Sequence, residues 1–221
     1  MNHLFFQNEP HTCSRIPKIK LCGLTRLEDI ETVNELMPEF VGFVFAKKSR
    51  RYLSPSDAKL LRKHLKPDIL PVGVFVNEDP KQIAALLASG TISVVQLHGS
   101  EDEAYLSALR QLTDCPLLKA FRIDGKEDVL RASACSADGI LVDSGTGGTG
   151  TTFDWSLLKE LSRPFFLAGG LTLSNTRRAI DSVSPFAVDI SSGIETNGKK
   201  DPDKMRKFVR LVREPDGKDI L

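Results

Sequence analysis

Cys22 ends the short apolar run KIKLC (18–22), and the residues after it, GLTRLED, switch at once to glycine, threonine and a charged helical pattern. A buried unpaired cysteine packs as a small hydrophobe, whereas an ionised one is a base or a nucleophile, so this position is open to either role. Other apolar runs finish on residues that packing would not select. Gln96 and His98 end SVVQLH, Asp143 ends GILVD, and FAVDIS carries Asp189 and Ser191, with Ser192 directly after. Of these, histidine titrates near neutrality and invites assignment as a proton carrier. Three glycine-rich stretches follow the last such runs: SGTGGTGTTFDW (144–155), AGGL (168–171) and SSGIE (191–195). Glycine lets backbone N–H groups turn inward and approach a ligand closely, which suits an anion such as phosphate. The stretch AKKSRRYLSP (46–55) concentrates Lys47, Lys48, Arg50 and Arg51. A charge run of this kind is ordinarily a solvated loop, but an arginine aimed inward offers a planar fork to a carboxylate.

What must position this chemistry is a set of eight apolar runs rich in β-branched and aromatic side chains: KIKLC, FVGFVF (40–45), LPVGVFV (70–76), SVVQLH (93–98), PLLKAFRI (116–123), GILVD (139–143), PFFLAG (164–169) and FAVDIS (186–191). They are nearly continuous in hydrophobicity rather than alternating, the pattern of parallel strands covered on both faces. Between them fall helical spacings: Leu27, Ile30, Val33, Leu36; Ala58, Leu61, Leu65; Ile83, Leu86, Leu87; and Leu106, Leu109, Leu112. Met205, Phe208, Val209 and Val212 supply a last apolar helical face. Ser54 and Pro55 with Asp57, Asp79 with Pro80, Ser100 with Glu103, and Asp201 with Pro202 carry the punctuation of helix starts. The expected fold class is therefore α/β, a single (βα)8 barrel of the TIM type. An open doubly wound sheet shows the same alternation, but CGLTRLED after the first run lacks the G-x-G-x-x-G fingerprint. In a barrel, the strand ends that carry Cys22, Gln96, His98, Asp143 and Asp189 converge on one mouth, and loops after the late strands hold phosphate.

No linker, low-complexity tract or composition shift divides the chain. The barrel is expected over 18–214, with a poorly ordered N-terminal extension over 1–17 and a short tail over 215–221. Thirty Lys and Arg against 29 Asp and Glu leave a formal net charge of +1, so no global field recruits nucleic acid or an anionic membrane. An anionic ligand must be bound by a local site. Cys13, Cys22, Cys115 and Cys135 show neither C-x-x-C nor regular spacing, which argues against a zinc centre or a disulfide framework and for free thiols in a reducing compartment. Without a signal-peptide core or a long apolar stretch, the chain reads as cytoplasmic, and as a monomer by default.

The ordered motifs KIKLCGLT, VGFVFAKKSRRYLSP, VGVFVN, VVQLHG, LVDSGTGGTGTTFDW, LAGGLTLSNTRRAI and FAVDISSGIETNGKKD resemble the phosphoribosylanthranilate isomerase family of tryptophan biosynthesis, from about Lys18 to Val212. The resemblance implies a (βα)8 barrel and an Amadori rearrangement of N-(5'-phosphoribosyl)anthranilate with neither metal nor organic cofactor. It also implies Cys22 as general base, Asp143 as general acid, and Arg51, rather than Arg50, as partner of the anthranilate carboxylate. Phosphate binding falls to Gly147, Gly148, Gly169, Gly170, Ser192 and Gly193. His98 is expected to line or orient the pocket. Asp189 either orients the phosphate loop, contacts ribose or has a structural role. Cys115, Cys135, Phe153 and Trp155 are expected to pack. Base catalysis by a thiol whose reference pKa is about 8.5 requires a nearby positive charge. An aspartate with a reference value of about 3.9 needs burial or a neighbouring carboxylate to act as an acid. Where the family commonly has GGLxPEN this chain has GGLTLSN, and the loop after Asp143 is short. The related histidine-pathway isomerase uses aspartate in the first-strand position. Dual specificity and a non-catalytic phosphate-ligand sensor on the same barrel stay open as alternatives.

Overall fold

The computed structural model describes residues 16–143 and 155–214. Each apolar run forms a strand, because branched and aromatic side chains fit a pleated surface packed on both faces. These strands are β1 Lys18–Cys22, β2 Phe40–Val44, β3 Leu70–Phe75, β4 Val94–Leu97, β5 Leu117–Arg122, β6 Gly139–Asp143, β7 Phe165–Ala168 and β8 Ala187–Ile190. All pair in parallel and in chain order. The barrel closes where β1 meets β8, with Cys22 opposite Gly42 on one side and Lys20 opposite Asp189 on the other.

Alternation along the strands separates two cores. Ile19, Leu21, Val41, Phe43, Val95, Leu97, Ile140, Val142, Val188 and Ile190 point outward under the helices. Phe40, Val72, Val94, Leu118, Leu141 and Phe166 fill the barrel interior, and Cys22, Val44 and Val74 form a further buried cluster. The interior is thus plugged, and ligand access is left to the rim at the C-terminal ends of the strands.

The helices are α1 Leu27–Leu36, α2 Pro55–His64, α3 Pro80–Ala88, α4 Glu103–Arg110, α5 Lys126–Ala134, α6 Thr176–Val183 and α7 Pro202–Arg213. Ser54, Asp79 and Asp201 cap α2, α3 and α7 by accepting from backbone N–H groups of the first turn. At α4 the expected start is corrected: Asp102 is the cap, accepting from the Tyr105 N–H, and the Ser100 backbone and hydroxyl instead bond Asn77 Oδ1. After β6, the helical element among the described residues is a 3-10 helix, Trp155–Glu160. Trp155 packs against the outer core with the Arg178 guanidinium over its ring, so it packs as expected, while Phe153 lies outside the described residues. Two short strands, β9 Glu195–Thr196 and β10 Lys199–Lys200, form an antiparallel hairpin before α7. Among the described residues no helix is long and apolar enough to cross a membrane. Apart from Ile16 and Pro17, the expected extension and tail lie outside the described residues.

Candidate active site

Cys22 is buried at the end of β1, and Gly42 on the neighbouring strand leaves the space its sulfur fills: a Cβ there would collide with Sγ. Two residues earlier on the same inward face, Lys20 is fully buried and donates from Nζ to Asp189 Oδ2 at 2.8 Å. The lysine lies in the wall directly beneath the thiol. Burial works against its charge, but Asp189 and Cys22 together raise its pKa above the ordinary value. Burial pushes the Cys22 thiol up; Lys20 and Lys200 oppose that rise and Asp189 adds to it. The cationic neighbours required of a basic thiol are therefore present, and desolvation outweighs them.

Arg51 crosses the rim beside Cys22. Its stem runs over Gly23, where a Cβ would collide with Arg51 Cδ. Its guanidinium donates from Nε to Glu195 Oε1 at 2.6 Å and from Nη2 to Oε2 at 3.0 Å. Arg50 Nη2 joins the same carboxylate at 2.6 Å, and Lys200 Nζ reaches Oε1 at 2.7 Å. Lys200 also donates to the Ser191 carbonyl, and the Ser191 hydroxyl donates to the Cys22 carbonyl at 3.0 Å. Burial works to raise the Glu195 pKa, but Arg51 and Lys200 prevail and lower it below the usual carboxylate range. Burial lowers the pKa of Lys200 in spite of Glu195.

Across the mouth, His98 lies with Nε2 3.2 Å from Asp143 Oδ2, and its Nδ1 is 2.8 Å from Gln96 Nε2. His98 thus links the buried Gln96 side chain to Asp143, one ring nitrogen to each. The loop after His98 is pinned from below. Glu101 accepts from the Gly99 N–H, and buried Lys119 donates to the Gly99 carbonyl.

Gly169 and Gly170 follow β7 with positive φ of 81° and 60°. Ser192 and Gly193 open a 3-10 helix after β8, and Gly193 packs so closely on the Leu171 carbonyl that a Cβ would overlap it. The two loops therefore meet on the rim that bears Cys22, Arg51, His98 and Asp143, while Asp189 lies one layer below, against Lys20. Gly147 and Gly148 lie outside the described residues. Gly193→Ala is expected to destabilise the fold by about 1–3 kcal/mol, since backbone rather than a flexible side chain must yield. Thermal unfolding of the variant checks this, and an unchanged melting temperature would contradict the contact.

Lys20, Glu195 and Lys200 belong to this site and were not singled out from the sequence. Lys20 was legible as a lysine two residues before Cys22 in an apolar strand, hence on the same face. Glu195 and Lys200 were signalled by Asn197-Gly198, the favoured two-residue turn of a hairpin, whose φ values are 52° and 77°.

A family model described as N-(5'phosphoribosyl)anthranilate (PRA) isomerase matches residues 19–211. The chain is 44% identical over 202 residues to an N-(5'-phosphoribosyl)anthranilate isomerase of Endomicrobium trichonymphae, covering 90% of this chain and 99% of that protein. It is 43% identical over 205 residues to one from Clostridium acetobutylicum, covering 89% and 98%. A crystal structure of phosphoribosyl anthranilate isomerase from Thermotoga maritima superposes with a TM-score of 0.81 at 40% identity, covering 89% of this chain and 98% of that one. A crystal structure of phosphoribosyl anthranilate isomerase in complex with reduced 1-(o-carboxyphenylamino)-1-deoxyribulose 5-phosphate matches with a TM-score of 0.79 at 39% identity, with the same coverage.

Proposed function

The chain belongs to the N-(5'-phosphoribosyl)anthranilate isomerase family of tryptophan biosynthesis, and on that premise we propose that Cys22 and Asp143 are the general base and general acid of its rearrangement. Protonation of the ribose ring oxygen by Asp143 lets the C1'–O bond break, its electron pair leaving with oxygen while the anilino nitrogen lone pair forms an iminium. The Cys22 thiolate then removes the C2' proton, and the C–H electrons form the C1'=C2' bond of a neutral enolamine. Proton transfer to C1' with loss of the C2' hydroxyl proton gives the ketone, 1-(2-carboxyphenylamino)-1-deoxyribulose 5-phosphate. Arg51 pairs with the ring carboxylate, and the amides of the loops bearing Gly169, Gly170, Ser192 and Gly193 bind the phosphate, joined by Gly147 and Gly148.

The observation that carries this reading is the pair of ammonium groups, Lys20 and Lys200, within electrostatic reach of one buried thiol. A thiol that only packs has no use for buried cations beside it. His98 supports the acid role by bridging Asp143 to Gln96, so that the carboxyl is oriented. Asp189 acts through Lys20 rather than on the sugar. Turnover of N-(5'-phosphoribosyl)anthranilate by the purified chain tests the function. No turnover refutes it, and equal turnover of the aminoimidazole substrate of histidine synthesis would establish dual specificity.

The sign of the pH dependence follows from Cys22. A base acts only when deprotonated, and burial raises its pKa, so kcat/KM should climb with pH along a limb displaced upward from that of an ordinary thiol. Lys200→Met keeps the aliphatic stem and removes a charge that favours thiolate. It is expected to move that limb to still higher pH and to lower kcat/KM at pH 7 by roughly tenfold. A limb that stays in place would remove Lys200 from thiol activation.

The same reading assigns the catalytic barrel to 18–214 and its substrate to small phosphoribosyl compounds, in a cytoplasmic monomer. Support for a reducing compartment comes from Cys22, Cys115 and Cys135, all unpaired thiols. Large exposed apolar side chains such as Leu27, Leu60, Leu112 and Leu130 are scattered over different elements, which favours a monomer. Sedimentation of the purified chain tests that state.

A further inference from the structure

We propose that Glu195 is the positioning residue that makes Arg51 a reader of the substrate carboxylate, an inference that rests on the isomerase reading above. The guanidinium has two edges able to receive a carboxylate side by side, one formed by Nε with a terminal nitrogen and one by the two terminal nitrogens. Glu195 occupies the first, taking Nε and Nη2. Among the described residues Nη1 has no acceptor, so the second edge is left for a ligand. A lone arginine on a surface loop samples many rotamers, and a carboxylate at one edge fixes the plane and direction of the other.

Charge points the same way. Three cations, Arg50, Arg51 and Lys200, share one carboxylate, and both Glu195 and Lys200 are nearly excluded from water. Arg50 stands in solvent, but Arg51 and Lys200 still outnumber the one nearly dry carboxylate they share, which favours a second anion at this place. The device that presents Glu195 is the β9–β10 hairpin, in which Glu195 and Lys200 stand directly opposite one another. Side chains opposite in an antiparallel pair share a face, so the tight Asn197-Gly198 turn fixes both groups against Arg51 at once. Glu195 touches no reacting atom and acts through the arginine.

The test compares N-(5'-phosphoribosyl)anthranilate with N-(5'-phosphoribosyl)aniline, which lacks the ring carboxylate. For Glu195→Gln, the ratio of kcat/KM between the two is expected to fall at least about tenfold, chiefly through KM for the anthranilate, over and above any loss that both compounds share through Lys200. In an Arg51→Met background, the same change should cause no further loss of discrimination, because the residue through which it acts is gone. Glu195→Asp, which retains the charge at shorter reach, should recover part of the ratio, and it carries the comparison should Glu195→Gln fail to fold. Equal losses on both compounds, or losses that add fully to those of Arg51→Met, would make Glu195 a merely structural residue and overturn the proposal. A wild-type chain that turns over neither compound would instead refute the isomerase reading itself.

Discussion

Cys22→Ala is expected to lower kcat by at least about a hundredfold, the usual size of a lost general base, while the barrel stays folded. The change deletes only a sulfur atom at the top of the interior, beside Val44, Val74 and the hydrogen-for-side-chain gap at Gly42. Large-to-small changes cost in proportion to the cavity they leave, and this one is small. Cys22→Ser sharpens the result. The hydroxyl preserves shape and polarity, yet its oxygen cannot be ionised to a comparable extent by Lys20 and Lys200. A packing role predicts near-normal turnover in both variants with a lower melting temperature. A base role predicts lost turnover in both with little change in melting.

Asp143→Asn should have an effect of the same order, at least about a hundredfold on kcat with KM little altered, because the proton is needed only as the C1'–O bond opens. The amide keeps the volume of the carboxyl and can still hydrogen-bond His98 Nε2 as donor or acceptor, so the Gln96–His98 arrangement survives. What disappears is the acidic proton. Binding of the reduced product analogue should remain within a few-fold of wild type by titration calorimetry, and turnover retained in the variant would move the acid role elsewhere. The double variant should lose no more than about as much as the weaker single, since acid and base serve one reaction sequence and their losses do not add.

The strands and most helix starts were legible in the sequence, because each depends on neighbours close along the chain. Continuous apolar runs give doubly buried strands, and Ser54, Asp79 and Asp201 are followed directly by the proline that sets a first helical turn. The miss at Ser100 has a local cause too. Ser100 and Asp102 both offer a capping oxygen there, and Asn77, from the neighbouring loop, binds the serine and leaves Asp102 to cap. The motif residues Cys22, Arg51, His98, Asp143, Gly169, Gly170, Ser192 and Gly193 were found as strand ends and loops, and the fold brings them to one rim, with Asp189 in the layer beneath. Their partners were not found. Glu195 meets Arg51 across 144 positions of sequence and Lys20 meets Asp189 across 169, and no periodicity reports a contact of that range.

The Lys20–Asp189 pair has a consequence for how the molecule comes into being. The lysine is translated among the first residues of the barrel and its carboxylate among the last, so throughout synthesis the ammonium has no counter-ion and must stay in water. The wall under the thiol therefore cannot be sealed until β8 has left the ribosome. A nascent chain ending before Ala187 has Cys22 but not the ion pair beneath it, so catalytic competence arrives with ring closure and not in instalments.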